Sequence, residues 1–228
     1  MTGQHVPRPA PAAPRRQQIT VAVLVVILTV RDGALQVLLI RRSAEPFKDQ
    51  WALPGGVLDQ GESLDLAAAR KLVEETGVAD VYLEQLYTFS GLDPRPDTGS
   101  VAVTYFALVD PGQAKLAQRN EWQPAWHRVA DLPPLAFENR RVVEYALRRL
   151  RAKLEYSNVA YSLLPEEFTM SQLQAVYESI LARRLDKRNF RKRMLSLGII
   201  RPTGRRYARG AGRPAQLYAF TARKPTLF

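Results

Sequence analysis

"GGVLDQGESLDLAAARKLVEETGV", residues 55–78, runs from a pair of glycines into a charged segment closed by Gly77. Gly55 and Gly56 permit a close backbone turn, Ser63 has the side chain of a helix N-cap, and Gly77 is a natural stop. The spacing therefore predicts a helix over 64–76. Leu64, Ala68 and Leu72 recur at i, i+4 and i+8 and give that helix one buried stripe. Arg70, Lys71, Glu74 and Glu75 remain, a dense mixture of cations and acids beside a glycine turn, which is the chemistry of phosphate and metal binding. Lys71 conflicts with that chemistry. It stands one helical turn from Glu74 and Glu75 and competes with any metal they bind.

Working outward, residues 19–30 form a 12-residue apolar run, well short of the ~20 needed to span a bilayer, and read as a buried strand. Arg31-Asp32-Gly33 is turn chemistry, and residues 35–42 answer as a hairpin partner. Residues 82–89 and 101–109 read as two more strands, separated by a loop rich in Asp, Pro and Gly, and 126–129 as a further one. Strands alternating with helices predict an α/β domain with a mixed sheet. Residues 139–155 form a long amphipathic helix with Val143, Leu147, Leu150 and Leu154 on one side. Beyond it, Thr169 or Ser171 caps a helix from Gln172 to about Ala182, and a second helix over 186–197 ends at Gly198. Strand, glycine-rich loop and strand follow, the order of a winged helix-turn-helix. The expected division is an extended Pro/Arg-rich arm (1–18), an α/β domain (19–137), a linking helix (138–157) and a winged helix-turn-helix (158–228).

Charge divides the chain the same way. The 228 residues carry a net charge of +11, yet residues 1–150 hold 17 Lys and Arg against 17 Asp and Glu, whereas residues 151–228 hold 16 against 5. A neutral body joined to a strongly basic end points to a polyanionic partner. There is no cysteine, which excludes a disulfide framework, a thiolate zinc site and a cysteine nucleophile. The Pro- and Arg-rich start lacks the pattern of a secretory signal, so a cytoplasmic protein without a membrane span is expected.

Within 186–197 the apolar positions Phe190, Met194 and Leu197 fix the docked side. Lys187, Arg188, Asn189, Arg191 and Lys192 are then displayed, and Arg and Asn are the residues that read guanine and adenine edges in a major groove. Arg205, Arg206, Arg209 and Arg213 fall in and around the wing, placed for phosphates or a minor groove. Arg15 and Arg16 on the arm could add contacts. Double-stranded DNA is the partner these features describe, and one winged helix contacts too few base pairs for strong specificity by itself.

The quoted stretch also resembles the Nudix box, G-x5-E-x7-R-E-U-x-E-E-x-G-U with U aliphatic. Gly56, Glu62, Arg70, Leu72, Glu74, Glu75, Gly77 and Val78 match, and Lys71 alone departs, standing where the pattern has glutamate. The resemblance implies a loop-helix-loop whose carboxylates hold divalent metal on the diphosphate of a nucleotide derivative. With Lys71 in place the box is vestigial (Glu62, Arg70, Lys71, Glu74, Glu75): two cations face two acids, and metal affinity at Glu74 and Glu75 should fall sharply. The bland reading of Lys71 is a surface lysine paired with Glu75. Arg41, Gly55, Gly56, Arg70, Glu74 and Glu75 are the expected ligand contacts. Arg42 is a second strand-end candidate, and Trp51 and Phe89 are aromatics able to stack a base. His5 and His127 lack metal-ligand spacing. Taken whole, the chain after residue 18 is similar to the Nudix-related transcriptional regulators of NAD metabolism, the NrtR family. That similarity implies a homodimeric repressor that binds a palindromic operator near NAD synthesis and salvage genes and senses ADP-ribose or a related metabolite, with at most weak residual hydrolysis, needing no cofactor beyond Mg2+ accompanying the ligand. The rivals are an active Nudix hydrolase acting on ADP-ribose or RNA ends, and a scaffold without a ligand.

Overall fold

The computed structural model describes residues 19–79, 81–93, 99–116, 123–208 and 214–228. Strand β1 (Thr20–Arg31) turns at Asp32-Gly33 into β2 (Ala34–Arg41). Two short strands, β3 (Trp51–Ala52) and β4 (Gly55–Val57), precede helix α1 (Leu64–Thr76), followed by β5 (Tyr82–Ser90), β6 (Ser100–Leu108) and β7 (Gln123–Arg128). Together they make one mixed sheet. Its order is β3-β2-β1-β6-β5, with β4 on β1 and β7 on β2, and β1 and β6 are its parallel pair.

The apolar run of β1 is explained by burial on both faces. Val23, Val25 and Ile27 pack with Ala67, Ala68 and Leu72 of α1. Val26 and Leu28 point the other way, into a core shared with helix α2 (Asn139–Tyr156). The predicted stripe of α1 is therefore real but offset: Leu64 is half-buried, and Ala67 joins Ala68 and Leu72 inside.

The second part contains β8 (Phe168–Thr169), α3 (Met170–Leu181), α4 (Lys187–Ser196), β9 (Ile200–Tyr207) and β10 (Ala215–Phe220), with β10 central in a three-stranded sheet. Of the two capping candidates Thr169 is the one used. Its hydroxyl accepts from Gln172 N–H and the Gln172 side chain accepts from Thr169 N–H, a closed capping box, so α3 starts at Met170, two residues earlier than expected.

Helix α2 does more than link. Val142, Ala146 and Leu150 lie in the same apolar cluster as Leu28 and Phe106 of the sheet and as Leu173 and Ile180 of α3, so one core runs through both parts. The last residues also fold back, unforeseen in the sequence. Asn158 Oδ1 accepts from Thr226 N–H at 2.8 Å, its Nδ2 donates to Ala222 and Lys224 carbonyls, and Phe228 N–H reaches the carbonyl of Tyr156. Among the described residues no helix is long and apolar enough to cross a membrane.

Candidate functional site

Helix α1 is capped as its sequence demands. Ser63 Oγ accepts from Leu66 N–H, and Gly77, at φ 67°, closes the other end with its N–H on the carbonyl of Val73. On its outer side Arg70 organises three acids. Nε and Nη2 each lie 2.8 Å from one oxygen of Glu62, a bidentate fork, while Nη2 also reaches Asp59 at 3.1 Å and Nη1 reaches Glu74 at 3.2 Å. Lys71 Nζ holds the second oxygen of Glu74 at 2.8 Å. The Arg70 hydrogen bond keeps the Glu62 carboxyl below the ordinary carboxylate range. Burial alone would raise Glu74, but hydrogen bonds from Lys71 and Arg70 outweigh it and hold that carboxyl low as well. Glu62 first, then Glu74, push the Arg70 guanidinium up.

Two expectations for Lys71 change. It is not a surface lysine, its side chain being 16% exposed, and the acid it grips is Glu74 at i+3. Glu75 is 1% exposed and belongs to the buried side of α1. Both oxygens of Glu62 and both of Glu74 are already engaged by cations. Among the described residues no three Asp, Glu, His or Cys are grouped to hold a metal, and the carboxylates of Glu62 and Glu74 serve Arg70 and Lys71 instead.

On the other face of β1 opens a cavity of about 320 Å³, walled by β1 to β6 and the start of α2. Gly55 is indispensable to its wall. A Cβ there would stand 2.4 Å from the Val23 carbonyl oxygen and 2.5 Å from Leu24 Cδ2, so only glycine lets β4 lie this close to β1. Gly56 is roomier, its imagined Cβ meeting Lys71 Cε at 3.5 Å. The backbone of Gly56 thus separates the cavity from Lys71. Phe89 and Phe137 supply aromatic surface to the cavity. The Arg42 guanidinium lies 4.6 Å over the Phe137 ring while its Nε donates to the carbonyl of Pro46. Asn139, 1% exposed, also lines the cavity: its Oδ1 accepts from Leu53 N–H at 2.8 Å and its Nδ2 donates to the carbonyl of Phe137. Apolar walls with a few fixed polar groups and an arginine at the rim suit a flat heterocycle carrying anionic substituents.

Of the expected contacts, Gly55 and Gly56 line this cavity, while Arg70, Glu74 and Glu75 lie on the α1 side of β4. Arg41 faces Asp49, donating to its carbonyl at 3.3 Å and lying 3.7 Å from its carboxylate, and is outside the lining. Arg42 and Ile40 are inside it. Strand alternation carries that signal, since residues 40 and 42 share a face and 41 does not. Phe89 lines the cavity, whereas Trp51 packs edge-on against His127, with centroids 4.4 Å apart. Burial lowers the His127 pKa. Phe137 and Asn139 were missed because they follow a Pro-rich connection that carries no periodic pattern.

The basic end presents a second surface. Asp186 Oδ1 caps α4 by accepting from Asn189 N–H, Phe190 and Met194 are buried, and Phe190 packs on Tyr177 of α3 at 5.2 Å. Lys187, Arg188, Asn189, Arg191 and Lys192 are exposed together. Arg191 is anchored, donating to the Tyr218 hydroxyl at 2.8 Å, which fixes α4 to β10. Arg205 and Arg206 are exposed on β9, and Arg205 pairs with Glu167 at 3.0 Å. Arg209 and Arg213 lie outside the described residues.

Comparison with known proteins follows the same division. The NUDIX domain family model matches residues 19–146, and that of the NrtR DNA-binding winged helix domain matches 160–220. The chain is 39% identical over 200 residues to the ADPR responsive transcriptional repressor NtrR of Acinetobacter baylyi, covering 85% of this chain and 79% of that protein. The crystal structure of Shewanella oneidensis NrtR complexed with a 27mer DNA superposes with a TM-score of 0.78 at 36% identity, over 88% of this chain and 93% of that one. The NUDIX domain of the same Shewanella protein complexed with ADP ribose superposes with a TM-score of 0.52 at 36% identity, over 58% of this chain and 89% of that one. The two family models together cover the mixed sheet with its box helix and the basic winged helix, the repressor of Acinetobacter baylyi spans both, and the chain belongs to the NrtR family.

Proposed function

We propose that the protein is a cytoplasmic, homodimeric repressor that binds a palindromic operator near NAD synthesis and salvage genes, and that ADP-ribose in the Nudix domain changes its DNA affinity without being hydrolysed. The observation carrying this reading is the state of Glu74: Lys71 and Arg70 hold its two oxygens while the cavity behind Gly56 remains open. A site so arranged retains ligand volume and loses the free carboxylates that metal-assisted water attack requires. The exposed basic face of α4 supplies the DNA contact, and the relatives' own ligands, ADP ribose and DNA, supply the identities.

For an effector to regulate, it must bind two states of the protein with different affinity. The test is operator binding by fluorescence anisotropy with and without ADP-ribose, beside an assay for AMP release with Mg2+. A shifted operator affinity with no AMP release is expected. Rapid metal-dependent AMP release would instead make the protein a hydrolase. Lys71→Glu is the informative control: it frees one oxygen of Glu74, but Arg70 still grips Glu62 through two bonds, so any turnover it gains should be partial.

A further inference from the structure

The cavity and helix α3, which leads into the reading helix, are joined by two elements that each touch both. Thr20, Ala22 and Leu24 of β1 and Ile40 and Arg42 at the end of β2 line the cavity, and the turn joining these strands lies at their opposite end, about 30 Å away at ~3.3 Å per residue. Helix α2 likewise starts at the cavity with Asn139 and runs toward the basic domain. The two elements then meet α3 at successive residues. Ser179 Oγ lies within hydrogen-bond reach of the carbonyl of Gly33 in the hairpin turn, at 3.1 Å, and Arg151 Nε of α2 donates to the carbonyl of Ile180 at 2.9 Å.

What lies just beyond is the connection to α4. Glu178 Oε1 accepts from Leu185 N–H at 2.8 Å, and Gln174 Nε2 lies 3.0 Å from Glu178 Oε1 and 2.9 Å from the carbonyl of Leu185. The residue before the α4 cap is thereby tied to the last turn of α3, and a movement of that turn carries α4 with it. The contact at Ser179 also has an alternative. Its oxygen lies 2.7 Å from the carbonyl of Ala175 within α3, and a hydroxyl has one hydrogen to give. The hydroxyl can serve Ala175 instead of Gly33 and remain satisfied, so α3 can give up its contact with the hairpin turn without stranding a donor.

We infer that Ser179 and Arg151 form the junction through which ligand occupancy of the Nudix cavity is converted into a change of α4 position, and hence of DNA affinity. This rests on the function proposed above. Both are positioning residues, touching neither the cavity nor the displayed face of α4.

The experiment compares the full-length protein with Ser179→Ala, Arg151→Gln and the double variant. Calorimetry gives ADP-ribose affinity, and anisotropy gives operator affinity with and without saturating ADP-ribose. The unmodified protein should show a coupling factor in the range of about 5–150-fold. In the double variant each separate affinity should stay within about threefold of the unmodified protein, while the coupling factor falls to within about twofold of one. Arg151→Lys, which keeps a donor and the charge, should retain more coupling than Arg151→Gln. A folded double variant with the full coupling factor overturns the inference and leaves the proposed function standing. An unmodified protein that binds ADP-ribose with a coupling factor of one overturns both. Should the double variant fail to fold, Ser179→Ala alone decides: undiminished coupling there also overturns the junction.

Discussion

Helices α1 and α4 are both crowded with charge, and they use it in opposite ways. In α1 each cation is matched inside the site: Arg70 spans Glu62, Asp59 and Glu74, and Lys71 completes Glu74. In α4 the cap Asp186 spends its carboxylate on the backbone, and Lys187, Arg188 and Lys192 face solvent on one side. The contrast shows that charge in a sequence acquires meaning only through its partners. Matched charges shape a site and set the carboxyl pKa values within it. Unmatched ones of a single sign create the field that draws in a polyanion.

The largest effect should come from that field. If a dimer neutralises roughly 6–10 phosphates, operator affinity should fall by about 10³–10⁵ between 50 and 200 mM salt. ADP-ribose binding, seated in the balanced half, should respond far less over the same range. A flat salt response for DNA, measured by anisotropy, would erase the distinction between the two helices. Next in size is Arg188→Ala, expected to cost about 1–3 kcal/mol of specific operator affinity if the side chain reads a base. Arg191→Ala sharpens the point, because Arg191 is bonded to Tyr218: its loss should also lower the melting temperature of the winged helix, which Arg188→Ala should leave unchanged.

A third prediction concerns the two glycines. Gly55→Ala forces a Cβ to within 2.4 Å of the Val23 carbonyl oxygen, and overpacking of this kind costs about 1–3 kcal/mol. β4 must move and the cavity wall with it, so ADP-ribose affinity should drop alongside stability. Gly56→Ala meets only the flexible end of Lys71 at 3.5 Å and should cost less than about 1 kcal/mol by thermal unfolding. Equal losses for the pair would mean that β4 is not held against β1 as described.

Much of this contrast was legible in the sequence, and the reasons are local. Helix α1 announces itself through Ser63, the Leu64–Ala68–Leu72 spacing and Gly77, and its observed bounds are the expected ones. Helix α4 is equally plain, because Asp186 and Gly198 bracket a regular alternation of apolar and basic residues. The cavity was harder. Its lining comes from β1 to β6 and the first turn of α2, distant segments whose meeting depends on sheet order and on the parallel β1–β6 pairing. Arg42 could have been preferred over Arg41 by strand alternation alone. Asn139 could not, since its burial follows from the hydrogen bond to Leu53 across 86 positions of chain. The shared core through α2 escaped for a similar reason: an amphipathic helix shows that it has an apolar face, but not that sheet and winged helix both pack against it.

The smallest predicted effect tests the balanced helix itself. Lys71→Met removes one partner of Glu74 and leaves Arg70 in place, so near neutral pH the loss of stability should be only about 0.2–0.5 kcal/mol, the size of a helical ion pair. Its pH dependence is more telling than its magnitude. Glu74 is held below its ordinary value of 4.5 in the folded protein, so the stability it contributes is present above that pH and disappears as pH falls through the lowered folded value. Lys71→Met should therefore differ from the unmodified protein at pH 6–7 and converge with it as Glu74 becomes protonated at acid pH. Thermal melts across that window check this. A deficit that persists unchanged after Glu74 is protonated would assign the role of Lys71 to the packing of its methylenes under Gly56, and α1 would then owe its shape to contact and not to matched charge.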